Sequence, residues 1–89
     1  MKKNYILIIH GRVQGVGFRY SALNKAKELG IYGFVKNNYD GSVYIEAEGE
    51  EGKLNIFIEW CKNGPSWSRV DEVEVNESPL VGFMEFVVK

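Results

Sequence analysis

The sequence has few of the residues on which disulfide scaffolds, metal centres and nucleophilic enzymes depend. Its 89 residues include one cysteine, Cys61, and one histidine, His10. A single cysteine excludes an internal disulfide and a cysteine-rich zinc site. A single histidine excludes a His-pair metal site and leaves only His10 for a Ser–His or Cys–His nucleophile system. Unless His10 serves as a base, any chemistry of this chain rests on other side chains or on the backbone.

An excess of positive charge and a long apolar run are also missing. The 11 Lys and Arg residues against 12 Asp and Glu give a net charge of −1, whereas proteins that bind nucleic acid through bulk electrostatics carry a basic surplus. The apolar run Tyr5–Ile9 is too short for a membrane span or a signal-peptide core. We therefore expect a cytoplasmic protein with no nucleic-acid or membrane partner. A chain of this length has room for one domain, residues 1–89, with a single core.

The apolar pattern of the first half predicts a strand, a helix and a second strand. The β-branched run Tyr5–Ile9 indicates a central strand buried on both faces. From Phe18, apolar residues recur at helical spacing as far as Leu29, and Gly30 stands where a left-handed residue commonly ends a helix. The second strand is predicted at Ile31–Lys36.

The second half predicts two strands around a helix, followed by a short last strand. Residues 37–41 form a turn, and alternation of apolar and polar residues over 42–48 predicts a half-buried strand. Residues 54–61 carry a helical core stripe, which includes Cys61. Alternation around 73–75 and an apolar run at 83–88 predict the last two strands. The order βαββαβ with a short fifth strand indicates a ferredoxin-like α+β sandwich, with two helices on one face of a mostly antiparallel sheet.

The glycine-rich segment Gly11–Arg19, GRVQGVGFR, leaves the first strand and enters the first helix. Backbone N–H groups converge at such a junction, and the partial positive charge of a helix N-terminus favours an anion. The P-loop and dinucleotide patterns do not fit, because no Lys follows Gly15 or Gly17 and Tyr20 occupies the third glycine position. Arg19, in the first helical turn, could clamp an anion with two hydrogen bonds. The alternative is a tight connection in which Arg19 is merely solvated.

Three segments of the sequence resemble the acylphosphatase family. They are GRVQGVGFR, then Gly33–Asn37 followed by Asp40–Val43 and Gly49, and, more loosely, the region 64–75. Together they cover nearly the whole chain. The resemblance implies a ferredoxin-like fold and an enzyme that hydrolyses the carboxyl–phosphate anhydride of acyl phosphates, releasing a carboxylate and inorganic phosphate. It also implies action on a small-molecule substrate without a metal or another cofactor. We expect a monomer, although the sequence itself does not indicate the oligomeric state.

The resemblance also assigns roles to residues of this sequence. By this resemblance, the substrate phosphate is bound in a cradle formed by the loop from Gln14 to Phe18. The loop comprises Gln14, Gly15, Val16, Gly17 and Phe18. Arg19 matches the family's phosphate-binding arginine, and Asn37 matches the asparagine that positions the attacking water. A non-catalytic module that binds phosphate or another anion on the same fold is the alternative. Asn37 favours the enzyme, because anion binding alone needs no water-positioning amide.

Other chemically capable residues are expected to have structural roles. We expect His10 to be structural, because no acidic partner lies near it in sequence. Glu46 and Glu48 alternate with buried positions and are predicted to lie on a solvated face. Trp60 and Trp67 are predicted to pack around the end of the second helix. The acidic residues of 71–77 are expected to keep an outer strand from pairing with other chains.

Overall fold

A computed structural model describes residues 1–89 and contains five strands and two helices in the predicted order. They are β1 (Lys2–Arg12), α1 (Phe18–Leu29), β2 (Tyr32–Asn37), β3 (Val43–Glu50), α2 (Glu51–Asn63), β4 (Arg69–Ser78) and β5 (Phe86–Val88). The strands form one sheet in the order β4-β1-β3-β2-β5. All neighbours are antiparallel except β2 and β5, which are parallel. The ferredoxin-like α+β fold is therefore confirmed. Neither helix is long and apolar enough to cross a membrane.

The core lies between the sheet and the two helices. On β1, Leu7 and Ile9 are fully buried beneath the helices, whereas Ile6 and Ile8 are only half-buried on the opposite face. The prediction that β1 is buried on both faces is therefore wrong. A continuous apolar run gives no indication that only one side of the strand is covered.

The helices bury the residues that their spacing predicted. The buried positions of α1 include Ala22 and Ala26, and those of α2 are Leu54, Phe57 and Cys61. Burial raises the pKa of the Cys61 thiol, which keeps this residue protonated and unreactive in the core.

The two tryptophans differ in their surroundings. Trp60 packs against the rings of Phe18 and Phe57, at centroid distances of 5.6 and 6.1 Å. Trp67 is 81% exposed, so the prediction that it packs around the end of α2 is wrong.

The two outermost strands are joined by an extended segment that crosses the sheet. Residues 79–85, called here the crossing segment, connect β4 at one edge to β5 at the other. Because residues 83–85 belong to this segment, β5 begins at Phe86 and is shorter than the predicted strand. Glu48 lies beneath the segment and is 2% exposed, so the prediction that it is solvated is wrong. Glu48 lies on the predicted face of β3, but later residues cover that part of the face.

Gly33, the first residue of the segment Gly33–Asn37, lets β2 and β3 approach each other closely. Its φ is +142°, and a Cβ at this position would overlap the main-chain oxygen of Glu46 on β3. Any side chain here must therefore push β2 and β3 apart or distort β2.

We predict that Gly33→Ala lowers the free energy of unfolding by about 3 kcal/mol, through backbone strain and overlap with β3. The matched control is Gly52→Ala in α2, where φ is not positive and an added Cβ meets nothing within 4 Å. That change should stabilise the protein by less than about 1 kcal/mol. Denaturant titration of both variants measures the difference. Wild-type stability of Gly33→Ala would contradict this account of the β2–β3 contact.

Candidate active site

The loop between β1 and α1 is anchored at both ends and exposed between them. Val13 and Phe18 are buried in the core, whereas Gly15 and Gly17 are exposed. The two glycines have φ values of 73° and 77°, in the left-handed region that glycine adopts without strain. These dihedrals turn the chain so that α1 begins at Phe18.

The backbone N–H groups of the loop face no acceptor within the protein. The first hydrogen bond of α1 joins the Ser21 N–H to the Gly17 oxygen at 3.0 Å, and none of the N–H groups of residues 15–20 donates to another protein group. The first turn also has no acidic residue and no capping side chain. Unpaired donors at a helix N-terminus favour an anion. The N–H groups of residues 15–18 are thus available to an anion, and the phosphate cradle at Gln14–Phe18 stays a prediction.

The side chain of Gln14 connects the loop to the turn between β2 and β3. Its amide nitrogen donates to the main-chain oxygens of Asn38, at 2.7 Å, and Ser42, at 2.9 Å. The turn itself is closed by a hydrogen bond from the Asn38 N–H to the Ser42 oxygen. The sequence predicted a role for Gln14 in the cradle but not this contact. The one feature of the sequence that could have suggested this contact is a long amide side chain in a loop of small residues and valines.

Asn37 is the last residue of β2 and pairs with Val43 on β3. Its side chain is exposed and makes no hydrogen bond within the protein. Because Gln14 holds the next residue, Asn38, the structure brings the end of β2 beside the loop. The amide of Asn37 is thus available to a bound molecule or to a water.

Arg19 is half-buried and is fixed by the end of the chain. Its Nη1 donates to the main-chain oxygen of Lys89 at 2.9 Å. The Lys89 N–H donates in turn to the oxygen of Val35 on β2, two residues before Asn37. The Nε and Nη2 groups of Arg19 have no acceptor in the protein. The structure therefore brings the loop, Arg19 and Asn37 to the same end of the sheet. Nothing in the sequence pointed to the contact with Lys89.

His10 is paired with an acidic residue that is distant in sequence. Its Nε2 lies 2.6 Å from the Oε2 of Glu74, on the neighbouring strand β4. The hydrogen bond with Glu74 raises the pKa of His10 against the opposing effect of burial, and the charges of Glu74, Glu72 and Asp40 raise it further. His10 therefore has an acidic partner, 64 residues away in sequence, which reasoning from neighbouring residues did not reveal, and its structural role stays a prediction.

These features define an open α+β sandwich with a loop of unpaired N–H groups at one end of its sheet. The family model for acylphosphatase matches residues 5–88. An acylphosphatase of Mannheimia succiniciproducens is 49% identical over 77 residues, which are 86% of this chain and 83% of that protein.

Two solved structures superpose closely on the present one. The acylphosphatase from Bacillus subtilis has a TM-score of 0.95 at 44% identity, over 100% of this chain and 99% of that one. An acylphosphatase from Coxiella burnetii has a TM-score of 0.96 at 35% identity, over 99% of this chain and 93% of that one. The chain belongs to the acylphosphatase family, enzymes that hydrolyse acyl phosphates. The family and enzyme class predicted from the sequence are confirmed.

We predict that Gln14→Met, which preserves length but cannot donate, lowers the free energy of unfolding by about 2 kcal/mol, or about 1 kcal/mol for each lost hydrogen bond. Because the loop is no longer tied to the turn, turnover of an acyl phosphate should also fall, by roughly tenfold. Denaturant titration and steady-state kinetics measure the two effects. Asn63→Ala removes an exposed amide that bonds only within the end of α2 and serves as the control. Unchanged kinetics in Gln14→Met would exclude a role for this tie in the site.

We predict a pH-dependent contribution of the His10–Glu74 pair to stability. A group whose pKa is raised on folding stabilises the protein fully below its unfolded pKa, about 6.5 for histidine. That contribution is lost as the pH rises through the folded value. Melting temperatures of wild type and His10→Gln should therefore differ more at about pH 5.5 than at about pH 9, and Glu74→Gln should show the same trend. An equal difference at both pH values would contradict the pairing.

Proposed function

We propose that this chain hydrolyses small acyl phosphates at the end of the sheet where the loop, Arg19 and Asn37 meet. In this proposal Arg19 and Asn37 are the catalytic residues, and the loop Gln14–Phe18 binds the phosphoryl group. The observation that carries the proposal is the set of unsatisfied donors there. They are the loop N–H groups and two nitrogens of Arg19, and beside them lies the unpaired amide of Asn37, whose oxygen can accept a hydrogen bond.

Binding of the phosphoryl group rests on donors that are already oriented. Phosphoryl transfer asks the protein mainly for positioning and for stabilisation of charge on the phosphoryl oxygens. The loop N–H groups lie at the N-terminus of α1, where the helix dipole adds partial positive charge. Since Nη1 of Arg19 is held by the Lys89 oxygen, its Nε and Nη2 are fixed in direction before substrate arrives. Preorganised donors of this kind need no reorganisation during the reaction.

Asn37 holds the attacking water in line with phosphorus. Its side-chain oxygen accepts a hydrogen bond from that water, whose oxygen then forms the new bond to phosphorus. The bond between phosphorus and the acyl oxygen breaks, and the carboxylate leaves with the electron pair. A carboxyl group has a pKa of about 4, so it leaves without a general acid. The water proton passes to an oxygen of the substrate's own phosphoryl group, so no histidine or cysteine is needed.

The same proposal extends to the ligands, the oligomeric state and the cellular compartment of the protein. The donors of the loop and of Arg19 bind the phosphoryl end, so inorganic phosphate should compete as the product. We propose a monomeric protein with a single domain, 1–89. The edge strand β4 carries charged side chains at Asp71, Glu72, Glu74 and Glu77, three of them in ion pairs within the protein, and charged side chains on an edge strand oppose pairing with a second copy. Its one cysteine is unpaired, which suits the reducing cytoplasm.

We predict that Arg19→Ala and Asn37→Ala each reduce turnover of acetyl phosphate by about 100- to 1000-fold, the usual effect of losing one preorganised donor. The two variants should differ in product binding. Arg19→Ala should weaken competitive inhibition by inorganic phosphate, whereas Asn37→Ala should leave it nearly unchanged, because Asn37 contacts the water. Steady-state kinetics with chelator in the buffer, with and without phosphate, measures both effects.

The controls are Lys53→Ala and Asn55→Ala, which alter exposed residues of α2. The first removes a positive charge and the second a side-chain amide, and α2 begins beside Met1, at the other end of β1 from the loop. Both controls should keep wild-type kinetics. Near-normal turnover in folded Arg19→Ala or Asn37→Ala would show that the corresponding residue is not catalytic. Phosphate binding without any hydrolysis by the wild type would identify an anion-binding module instead.

A further inference from the structure

The crossing segment, residues 79–85, is held to the sheet at few points. It passes over β1, β3 and β2 between the two edges, four strand spacings or roughly 19 Å. Seven residues span at most about 25 Å when fully extended, so the segment has little slack. Most of its side chains are exposed, and Phe83 is the one that is half-buried, with its ring edge against Phe34 at 6.1 Å. One main-chain hydrogen bond joins it to β2, from the Gly33 N–H to the Glu85 oxygen.

The carboxylate of Glu48 supplies the principal attachment. Its Oε1 accepts from the N–H of Val81 at 2.7 Å, and its Oε2 accepts from Gly82 at 2.8 Å and Phe83 at 3.1 Å. The buried Asn4 side chain, on β1, donates to Oε1 at 3.0 Å. Hydrogen bonds to an ionised acceptor are roughly twice as strong as those between neutral groups. Three consecutive residues of the crossing segment are thus tied to one side chain in the middle of the sheet.

Glu48 is held as a carboxylate by these N–H groups and not by a cation. It takes part in none of the protein's ion pairs. Burial by itself raises the pKa of Glu48, but the hydrogen bonds from Val81, Asn4, Gly82 and Phe83 outweigh it and leave the pKa below its usual value. The attachment is therefore intact at neutral pH.

A short path of backbone leads from this attachment to Arg19. After the crossing segment, β5 adds only three residues to the sheet and has β2 as its one neighbour. Lys89 follows at once, bonded through its N–H to Val35 and through its oxygen to Arg19. The position of the oxygen that fixes Arg19 thus depends on a short edge strand, and Glu48 anchors the segment that leads into it.

We propose that Glu48 is a positioning residue for Arg19, acting through the crossing segment, β5 and the Lys89 oxygen. It does not touch the substrate. This inference rests on the role of Arg19 in the proposed function. When the carboxylate is lost, the segment loosens, the Lys89 oxygen shifts, and Arg19 no longer presents Nε and Nη2 in a fixed direction.

The test compares Glu48→Gln with Glu46→Gln, alone and in the Arg19→Ala background. Glu48→Gln preserves shape but replaces one acceptor oxygen with a donor. Glu46→Gln makes the same change two residues away on the same face of β3, where the carboxylate also accepts from Asn4 but makes no hydrogen bond with the crossing segment. The readouts are kcat/KM for acetyl phosphate and Kd for inorganic phosphate, at a temperature where circular dichroism shows every variant folded.

We expect Glu48→Gln to lower kcat/KM by about tenfold and to weaken phosphate binding. This loss in kcat/KM is smaller than the roughly 100-fold effect of a full 1 Å misplacement. Glu46→Gln should change both by less than about twofold. In the Arg19→Ala background, Glu48→Gln should lower kcat/KM by less than a further factor of about two, since the residue through which it acts is gone. A merely structural role for Glu48 would lower the melting temperature without this coupling.

Two results would overturn the inference. One is wild-type kcat/KM in folded Glu48→Gln, and the other is an equal loss with and without Arg19. If Glu48→Gln does not fold, Phe83→Ala loosens the same segment and must show the same coupling to Arg19. Failure of the proposed function is recognised separately, because Arg19→Ala alone would then keep near-normal turnover.

Discussion

The arrangement of the candidate site depends on the two hydrogen bonds that the Gln14 side chain donates to the turn after β2. The loop follows β1 and Asn37 ends β2, but β3 lies between these two strands in the sheet. Two strand spacings, roughly 10 Å, therefore separate the backbone of the cradle from the backbone of Asn37. Gln14 spans this gap above the start of β3, where it reaches the oxygens of Asn38 and Ser42. Without these two hydrogen bonds, the loop and Asn37 would not be held beside each other at this end of the sheet.

Arg19 reaches the same place from another direction. It lies on α1, yet its guanidinium is fixed by Lys89, which pairs with β2 on the side away from β3. Elements from both ends of the chain therefore meet around the end of β2. In the proposed function, this convergence lets a small domain with one histidine present several oriented donors to one phosphoryl group.

Features that depend on neighbouring residues could be predicted from the sequence. Helical spacing located α1, and Gly30 marked its end, because both are set by local backbone preferences. The glycine loop and Arg19 led to the prediction of an anion site because they occupy a strand-to-helix junction, and that assignment stays a prediction. The alternation of β3 correctly placed Glu48 on the face opposite the helices. What alternation could not reveal is that a segment more than thirty residues later covers that face.

The remaining contacts join residues that are far apart in sequence and are fixed only by strand order. His10 meets Glu74 because β4 pairs with β1, and Lys89 meets Arg19 because β5 adds to β2 at the opposite edge. A single residue such as His10 or Lys89 belongs to no sequence pattern that predicts its partner. The half-buried Ile8 was mistaken for a core position for a related reason, since a run of apolar residues does not say which face is covered.

The measurement that tests the central claim most directly is an NMR titration of the isotope-labelled protein with inorganic phosphate. The account predicts that the largest shifts fall on the amides of residues 15–20 and on the Nε of Arg19, with smaller changes at the Asn37 side chain. Saturable shifts confined to another surface, or no shifts at phosphate concentrations that inhibit hydrolysis, would contradict the assignment of this loop as the phosphate cradle.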